Sequence, residues 1–193
     1  MRKMYLSAPL PFVGQKRMLA KEFMKVLEQY PDGTLFVDLF GGSGLLSHIA
    51  KSLKPHSTVI YNDFDNYRFR MKHIPQTNQL LADIREMVGN SVPRHKIIKG
   101  ELRERILSRI EQEENTTGYV DFITLSSSIL FSMKYKLSVQ DMRKEALYNN
   151  IRKTGYPECA DYLEGLEIVS CDYKEVFNRY KDIPGVVFLV DPP

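Results

Sequence analysis

The chain has 193 residues, 43% of them hydrophobic and 26% charged, which fits a globular domain with or without an insertion. No apolar run reaches the ~18 residues of a membrane span, and no signal peptide precedes the first helix. We therefore expect a cytoplasmic protein with no membrane partner. Two cysteines and four histidines without ligand spacing predict neither a disulfide framework nor a metal site, and a net charge of +3 permits nucleic-acid binding without requiring it.

Helix and strand patterns alternate over residues 1–66. Apolar residues at helical spacing predict a helix over 14–30, which a Pro-Asp-Gly turn ends. A short apolar strand over 34–37 leads into a Gly-Gly-Ser-Gly turn, a helix over 45–53 and a β-branched strand over 57–61. This order is a βαβ unit, which predicts a parallel sheet with a right-handed crossover.

Residues 67–165 show helical patterns and no convincing strand, so we predict a helical insertion. Ser138 resembles the first residue of a capping box and predicts a helix towards Asn149. Residues 166–193 return to α/β, with a strand, a helix and an apolar stretch over 186–190 that predicts a fully buried parallel strand. The α/β core is thus predicted to comprise residues 1–66 and 166–193.

A glycine-rich turn follows the first strand, where open α/β sheets bind ligands. Glycines allow a ligand close to the backbone, and the helix after Gly44 begins with unpaired N–H groups. Asp63 follows the next strand, 63 − 44 = 19 residues beyond Gly44, which is near the ~20-residue spacing at which an acid reaches a cofactor ribose. The alternative is a plain tight turn with a solvated acid. The spacing departs from the G-x-G-x-x-G of nicotinamide-binding proteins, which disfavours a dehydrogenase.

Other polar groups lie beside the remaining elements. Gly14 and Lys16 lie at the N-terminus of the first helix, where they either favour an anion or form an ordinary helix start. Asp172 precedes the helix over 173–180. It could bind a ligand, cap the N-terminus of that helix, or do both. The last strand is followed by Asp191, Pro192 and Pro193. This segment is either catalytic or a turn that ends the strand.

Together these segments resemble the motifs of Dam-type adenine-specific (N6) DNA methyltransferases. The glycine turn reads D-x-F-x-G-x-G, which is similar to the S-adenosylmethionine signature of that family. The N-terminal segment is similar to its F-x-G-x-K element, and the chain ends on the first three residues of its D-P-P-Y motif. The matching residues are Phe12, Gly14, Lys16, Asp38, Phe40, Gly42, Gly44, Asp191, Pro192 and Pro193.

The resemblance implies a Rossmann-like S-adenosylmethionine-dependent sheet, incomplete at its C-terminus, and a role for each matched residue. Lys16 would contact the methionine carboxylate of the cofactor, and Asp38 would lie near its amino group. Asp63, or Asp65 in its place, would bind the ribose hydroxyls, and Asp172 would lie near the cofactor adenine. Asp191 and the Pro192 carbonyl would accept hydrogen bonds from the target amine, and the prolines would fix that carbonyl.

Duplex DNA with a flipped-out adenine is the implied substrate, as in DNA methylation and restriction–modification. The insertion would recognise the target, and Tyr135, Tyr148 and Tyr156 lie near its charges. Its basic residues suit either DNA phosphates or solvated helix faces: Arg94, His95, Lys96, Lys99, Arg103, Arg105, Arg109, Lys134, Lys136, Arg143, Lys144, Arg152 and Lys153.

The aromatic residue that completes the D-P-P-Y motif does not follow Pro193. We therefore expect a truncated chain that is inactive as it stands. Two other functions remain open. One is methylation of adenine in RNA, and the other is a non-catalytic module that binds the cofactor or DNA. The sequence predicts no oligomeric state.

Overall fold

A computed structural model describes residues 3–14, 16–131 and 134–192. The chain forms two compact units. The first unit comprises Met1–Met71 and Cys159–Pro193, and the second comprises Lys72–Glu158. In chain order the elements are α1 (Ala20–Glu28), β1 (Phe36–Asp38), α2 (Leu45–Leu53), β2 (Val59–Asn62), α3 (Tyr67–Lys72), α4 (Ile74–Val88), β3 (Ile97–Ile98), α5 (Gly100–Thr117), α6 (Phe122–Ile129), α7 (Val139–Arg143), β4 (Leu147–Tyr148), β5 (Glu167–Val169), α8 (Tyr173–Tyr180) and β6 (Val187–Leu189).

The first unit contains a parallel sheet of four strands in the order β5-β2-β1-β6. One face packs against α1 and α2 through Leu27 and Ile49, and the other packs against α8 through Val176. Helices on both faces exclude water from β1 and β2, whose residues are all buried. The fold is therefore mixed α/β with a parallel sheet, as predicted, and the carboxyl ends of its strands share one edge.

The second unit is mainly helical. Its core includes Leu81 on α4, Ile106 on α5 and Leu125 on α6, all fully buried. It also contains the antiparallel pair β3–β4, in which Ile98 lies opposite Leu147. The sequence predicted no strand here, because two-residue strands carry no detectable alternation.

Three other predictions needed correction. The first helix begins at Ala20 rather than Gly14, because residues 16–19 form a turn in which the Leu19 N–H donates to the Lys16 carbonyl. Ser138 does cap α7, yet this helix ends at Arg143 because the chain then pairs as β4. The stretch over 186–190 is not fully buried. Among the described residues β6 pairs with β1 alone, and Val190 is 60% exposed.

The unit boundaries fall at 71/72 and 158/159, rather than after 66 and before 166. Most of α3 belongs to the first unit because the Tyr67 hydroxyl bonds to Leu10. The segment before β5 belongs there because the Tyr162 carbonyl contacts His48. Within the described residues, no helix combines the length and apolar character that crossing a membrane requires.

Candidate active site

A cavity of about 420 Å³ opens at the carboxyl edge of the parallel sheet. Its walls come from the N-terminal segment, the glycine turn after β1, the loop after β2, the start of α8 and the segment after β6. The volume lies in the ~300–1,000 Å³ range of small-molecule sites. The lining residues are Phe12, Val13, Gly14, Lys16, Asp38, Leu39, Phe40, Gly41, Gly42, Ser43, Leu45, Leu46, Asn62, Phe64, Asp65, Asp172, Tyr173, Asp191 and Pro192.

Asp38 places a buried carboxylate at this cavity. The residue is 1% exposed and accepts a hydrogen bond from the Ser47 hydroxyl at 2.7 Å. Burial and the nearby charge of Asp191 raise the pKa of Asp38, and hydrogen bonds from Ser47 and the Phe40 backbone oppose the rise, so that the pKa is about 6. Asp38 is therefore a poorly compensated negative charge at neutral pH, which a cationic ligand group would stabilise.

The glycine turn brings the backbone close to its neighbours. A Cβ on Gly41 would lie 2.3 Å from the Tyr61 ring, which leaves no room for any side chain. Gly42 has a φ of 51°, and a Cβ there would lie 3.0 Å from the Phe12 ring. Gly44 does not line the cavity. It precedes α2 with a φ of 72° and packs beside Leu163, so its role is in the turn itself.

The N-terminal segment is tied down beside that turn. The Tyr67 hydroxyl accepts from the Leu10 N–H at 2.9 Å and donates to the Leu10 carbonyl at 3.2 Å. Arg70 donates to the Pro11 carbonyl at 2.8 Å. Phe12 packs edge-on against Tyr67 with ring centroids 5.8 Å apart. These contacts fix the chain just before Lys16, although no local sequence pattern indicates them.

Lys16 and Asp191 meet across the cavity. The Lys16 ammonium lies 2.9 Å from an Asp191 carboxylate oxygen, and both side chains are about one-third exposed. These groups come from opposite ends of the sequence and from two separately predicted motifs. Their pairing joins the predicted cofactor-binding and catalytic segments in one site.

The two acids after β2 occupy different positions. Asp63 is 4% exposed and accepts hydrogen bonds from the Tyr67 N–H at 2.6 Å, the Arg68 N–H at 3.1 Å and the Tyr61 hydroxyl at 2.9 Å. Burial raises its pKa, and these hydrogen bonds oppose the rise. Asp63 thus organises the start of α3 and is not among the lining residues, whereas Asp65 is.

Aromatic side chains form an apolar part of the cavity. Phe40 and Tyr173 lie with ring centroids 4.8 Å apart, and Phe64 projects from the loop after β2 with 67% exposure. Asp172 lines the cavity beside them and also caps α8 by accepting from the Lys174 N–H at 2.8 Å. An exposed aromatic ring next to a cavity offers a surface on which a flat heterocycle can stack.

The structure brings most of the predicted site residues together. Phe12, Gly14, Lys16, Asp38, Phe40, Gly42, Asp172, Asp191 and Pro192 line the cavity, and Gly44 and Asp63 support its walls. Pro193 lies outside the described residues. No group of three or more His, Cys, Asp or Glu side chains within the described ranges could hold a metal ion.

Sequence reasoning missed several residues at the cavity. Phe64 and Tyr173 each stand directly beside an acid that it had singled out. An aromatic residue next to a predicted ligand-binding acid was therefore the available signal. Asn62 donates to the Leu39 and Cys171 carbonyls and so joins the loops after β1 and β5. Its role depends on which strands are neighbours, which no local pattern indicates.

A parallel sheet with a glycine turn and a cavity at its carboxyl edge is characteristic of ligand-binding α/β proteins. The family model for D12 class N6 adenine-specific DNA methyltransferases matches residues 12–193. A Haemophilus influenzae protein named "Putative methyltransferase" is 40% identical over 196 residues, which cover 100% of this chain and 65% of that protein. The chain therefore belongs to the D12 class methyltransferase family and spans about two thirds of the length of this relative.

Proposed function

We propose that this protein transfers a methyl group from S-adenosylmethionine to the N6 amine of adenine in DNA. The observation that carries the proposal is the joint placement of Lys16, Asp38 and Asp191 at one cavity. The family supports the reaction. The sheet order β5-β2-β1-β6, with helices on both faces, supports a Rossmann-like methyltransferase core.

The cavity suits the cofactor's amino-acid end. A methionine group carries an ammonium and a carboxylate, and the cavity presents the Asp38 carboxylate and the Lys16 ammonium. Gly42 lacks the side chain that would fill the space beside Phe12. Opposite charges on both sides would orient the zwitterion in one direction, because the reversed orientation would bring like charges together.

The other end of the cavity suits a nucleoside. Phe64 offers a ring for an adenine base, and Asp172 offers a carboxylate acceptor for its amine. Asp65 faces the cavity, while both carboxylate oxygens of Asp63 accept from internal donors. The position at the wall favours Asp65 over Asp63 as the acceptor for the ribose hydroxyls.

Asp191 and Pro192 lie where a target amine could be held. The N6 amine of adenine is a poor nucleophile because its lone pair is delocalised into the ring. Hydrogen bonds donated to the Asp191 carboxylate and the Pro192 carbonyl would favour a tetrahedral nitrogen with its lone pair available. Bound S-adenosylmethionine supplies an electrophilic methyl group on its sulfonium. As the amine nitrogen bonds to this methyl carbon, the carbon–sulfur bond would break and leave a neutral thioether. Asp191 would then accept the proton that the methylated amine loses.

Because the chain as it stands is expected to be inactive, the proposal is tested with a version of the protein that extends beyond Pro193 and restores an aromatic residue there. The purified protein is given S-adenosylmethionine labelled on its methyl group and two nucleic acids. We expect labelled N6-methyladenine in duplex DNA and none in structured RNA. Transfer to RNA alone would replace DNA as the substrate. Calorimetric binding of S-adenosylmethionine without transfer to either nucleic acid would indicate a non-catalytic module instead.

A further inference from the structure

We infer that the β3–β4 pair of the second unit carries the surface that binds the phosphates of duplex DNA. The β3–β4 surface comprises five cationic residues: Arg94, Lys96, Lys99, Arg152 and Lys153. All five are exposed. The inference rests on the proposed function for the identity of its partner, and on the structure for its location.

Two acid-free stretches of sequence supply these residues. Residues 87–100 contain no Asp or Glu, and neither do residues 146–157. In a chain with 24 acids among 193 residues, the cations of such stretches have few acidic neighbours close in sequence. They lie about 50 residues apart in sequence, so nothing local predicts that they meet.

Backbone hydrogen bonds bring the two stretches side by side. The His95 N–H donates to the Asn149 carbonyl at 2.9 Å, and the Asn149 N–H donates to the Lys96 carbonyl at 2.9 Å. Arg94 donates to the Ile151 carbonyl at 2.6 Å. Neighbouring strands lie ~4.8 Å apart, so cations from both stretches share one small surface.

A local irregularity turns Lys96 outward. His95 and Lys96 together oppose Asn149, and His95 has a φ of 62°, a pattern typical of a β-bulge. Strict alternation from the buried Ile98 would point Lys96 into the core. The extra residue breaks that alternation and leaves Lys96 exposed, while Ile98 and Leu147 stay buried.

The Arg152–Lys153 side of the surface is held firmly. The Arg85 guanidinium donates to the Arg152 carbonyl at 2.9 Å. Asn78 exchanges two hydrogen bonds with the Tyr156 backbone, at 2.8 and 2.7 Å. The Arg152 guanidinium lies 4.4 Å from the centre of the Tyr156 ring. A fixed backbone lowers the entropy lost when a flexible cation engages a phosphate.

Several other cations of this unit are already paired with acids. Lys134 and Lys136 contact Glu145, Arg109 contacts Asp83 and Glu113, Arg143 contacts Glu104 and Glu111, and Lys144 contacts Asp141. Across residues 3–14, 16–131 and 134–192, none of the five residues of the β3–β4 surface forms an ion pair with an acid. Their charge is therefore available to an external polyanion.

The test measures DNA affinity as a function of salt. A labelled random-sequence DNA duplex is titrated with the parent protein, with a Lys96→Ala/Lys99→Ala/Lys153→Ala variant, and with a control Lys134→Ala/Lys136→Ala/Lys144→Ala variant. Each variant removes the same charge from the same unit. The salt slope falls by ~0.9 for every phosphate that the protein no longer neutralises. We expect the first variant to lower the slope by about 2–3 and to weaken binding at least ~10-fold.

The control variant should keep the parent slope, and both variants should keep the parent melting temperature and its affinity for S-adenosylmethionine. Equal losses in both variants, or parent-like DNA binding by the first, would overturn the inference. Loss of structured-RNA binding with duplex-DNA binding intact would overturn the assigned partner. Because the readout is binding, the outcome is separate from that of the methyl-transfer test. DNA bound through this surface, with no methyl transfer by the version extended beyond Pro193, would refute the proposed reaction alone.

Discussion

Asp38 is the residue that most clearly links the stability of the protein to its proposed function. A pKa raised from 3.8 to about 6 means that the folded protein binds this proton more tightly than the unfolded chain. The stabilising contribution is full below the unfolded pKa and is lost as the pH rises through about 6. At neutral pH the ionised carboxylate thus lowers stability in the absence of a cationic partner.

Replacing Asp38 should separate these two effects. An Asp38→Asn variant keeps an acceptor for Ser47 and removes the buried charge. Thermal unfolding at neutral pH should show stabilisation of up to ~3 kcal/mol. Calorimetry should show much weaker binding of S-adenosylmethionine by the same variant. A variant that is less stable than the parent, or one that binds the cofactor as well, would contradict this role.

The same carboxylate predicts a pH dependence for the parent protein. Only the ionised form attracts the cofactor's ammonium group. Affinity for S-adenosylmethionine should therefore fall below about pH 6, approaching ~10-fold per pH unit. Calorimetric titrations between about pH 5 and pH 8 provide the measurement. A flat profile across that range would remove Asp38 from the cofactor site.

Asp63 and Asp65 provide a matched pair for the ribose contact. Asp65→Asn should weaken cofactor binding by ~10-fold or more with little change in melting temperature. Asp63→Asn should chiefly destabilise the protein by ~1–3 kcal/mol, because an amide cannot accept all the hydrogen bonds that the carboxylate takes from the α3 backbone and Tyr61. Unchanged stability with abolished binding in Asp63→Asn would assign the ribose to Asp63.

Among the secondary-structure elements, α3 positions the N-terminal segment. A Tyr67→Phe change removes the hydroxyl that satisfies both backbone groups of buried Leu10. We expect a loss of stability of ~1–3 kcal/mol, together with weaker cofactor binding because Phe12 and Lys16 follow this anchor. Tyr30→Phe, at the end of α1 and away from the cavity, is the control. Parent-like binding by Tyr67→Phe would show that the segment needs no such anchor.

Elements with local determinants were predictable from the sequence. The helix over 45–53 matches α2 and the helix over 173–180 matches α8, because periodic apolar residues and the Asp172 cap are visible locally. The burial of β6 was not predictable, since it depends on which strands pair with it. The strands β3 and β4 were missed for the same reason, because each takes its stability from a partner about 50 residues away.

The candidate site was predictable to a similar extent. The motif residues line one cavity because the carboxyl ends of parallel strands share an edge. The Lys16–Asp191 pair and the separation of Asp63 from the cavity were not predictable. Both depend on side-chain directions, which spacing along the chain does not determine.

Across the whole chain, the two units divide the chemistry. The first unit holds the cavity with its buried acid, and the second holds the unpaired cations of the β3–β4 surface. The net charge of +3 does not reveal this division, because positive and negative side chains largely cancel in the total. The distribution of charge, rather than its total, supports a nucleic-acid partner.

Methyl transfer by an Asp191→Ala variant decides whether the cavity is the site of the reaction. All proteins are made in the version extended beyond Pro193. The rate of labelling of duplex DNA by this variant is compared with that of the parent and of an Asp182→Ala control at an exposed turn. We expect a fall of at least ~100-fold with S-adenosylmethionine still bound, because the variant lacks the acceptor for the amine. The control should match the parent. Labelling at the parental rate by Asp191→Ala would show that the reaction does not depend on this carboxylate.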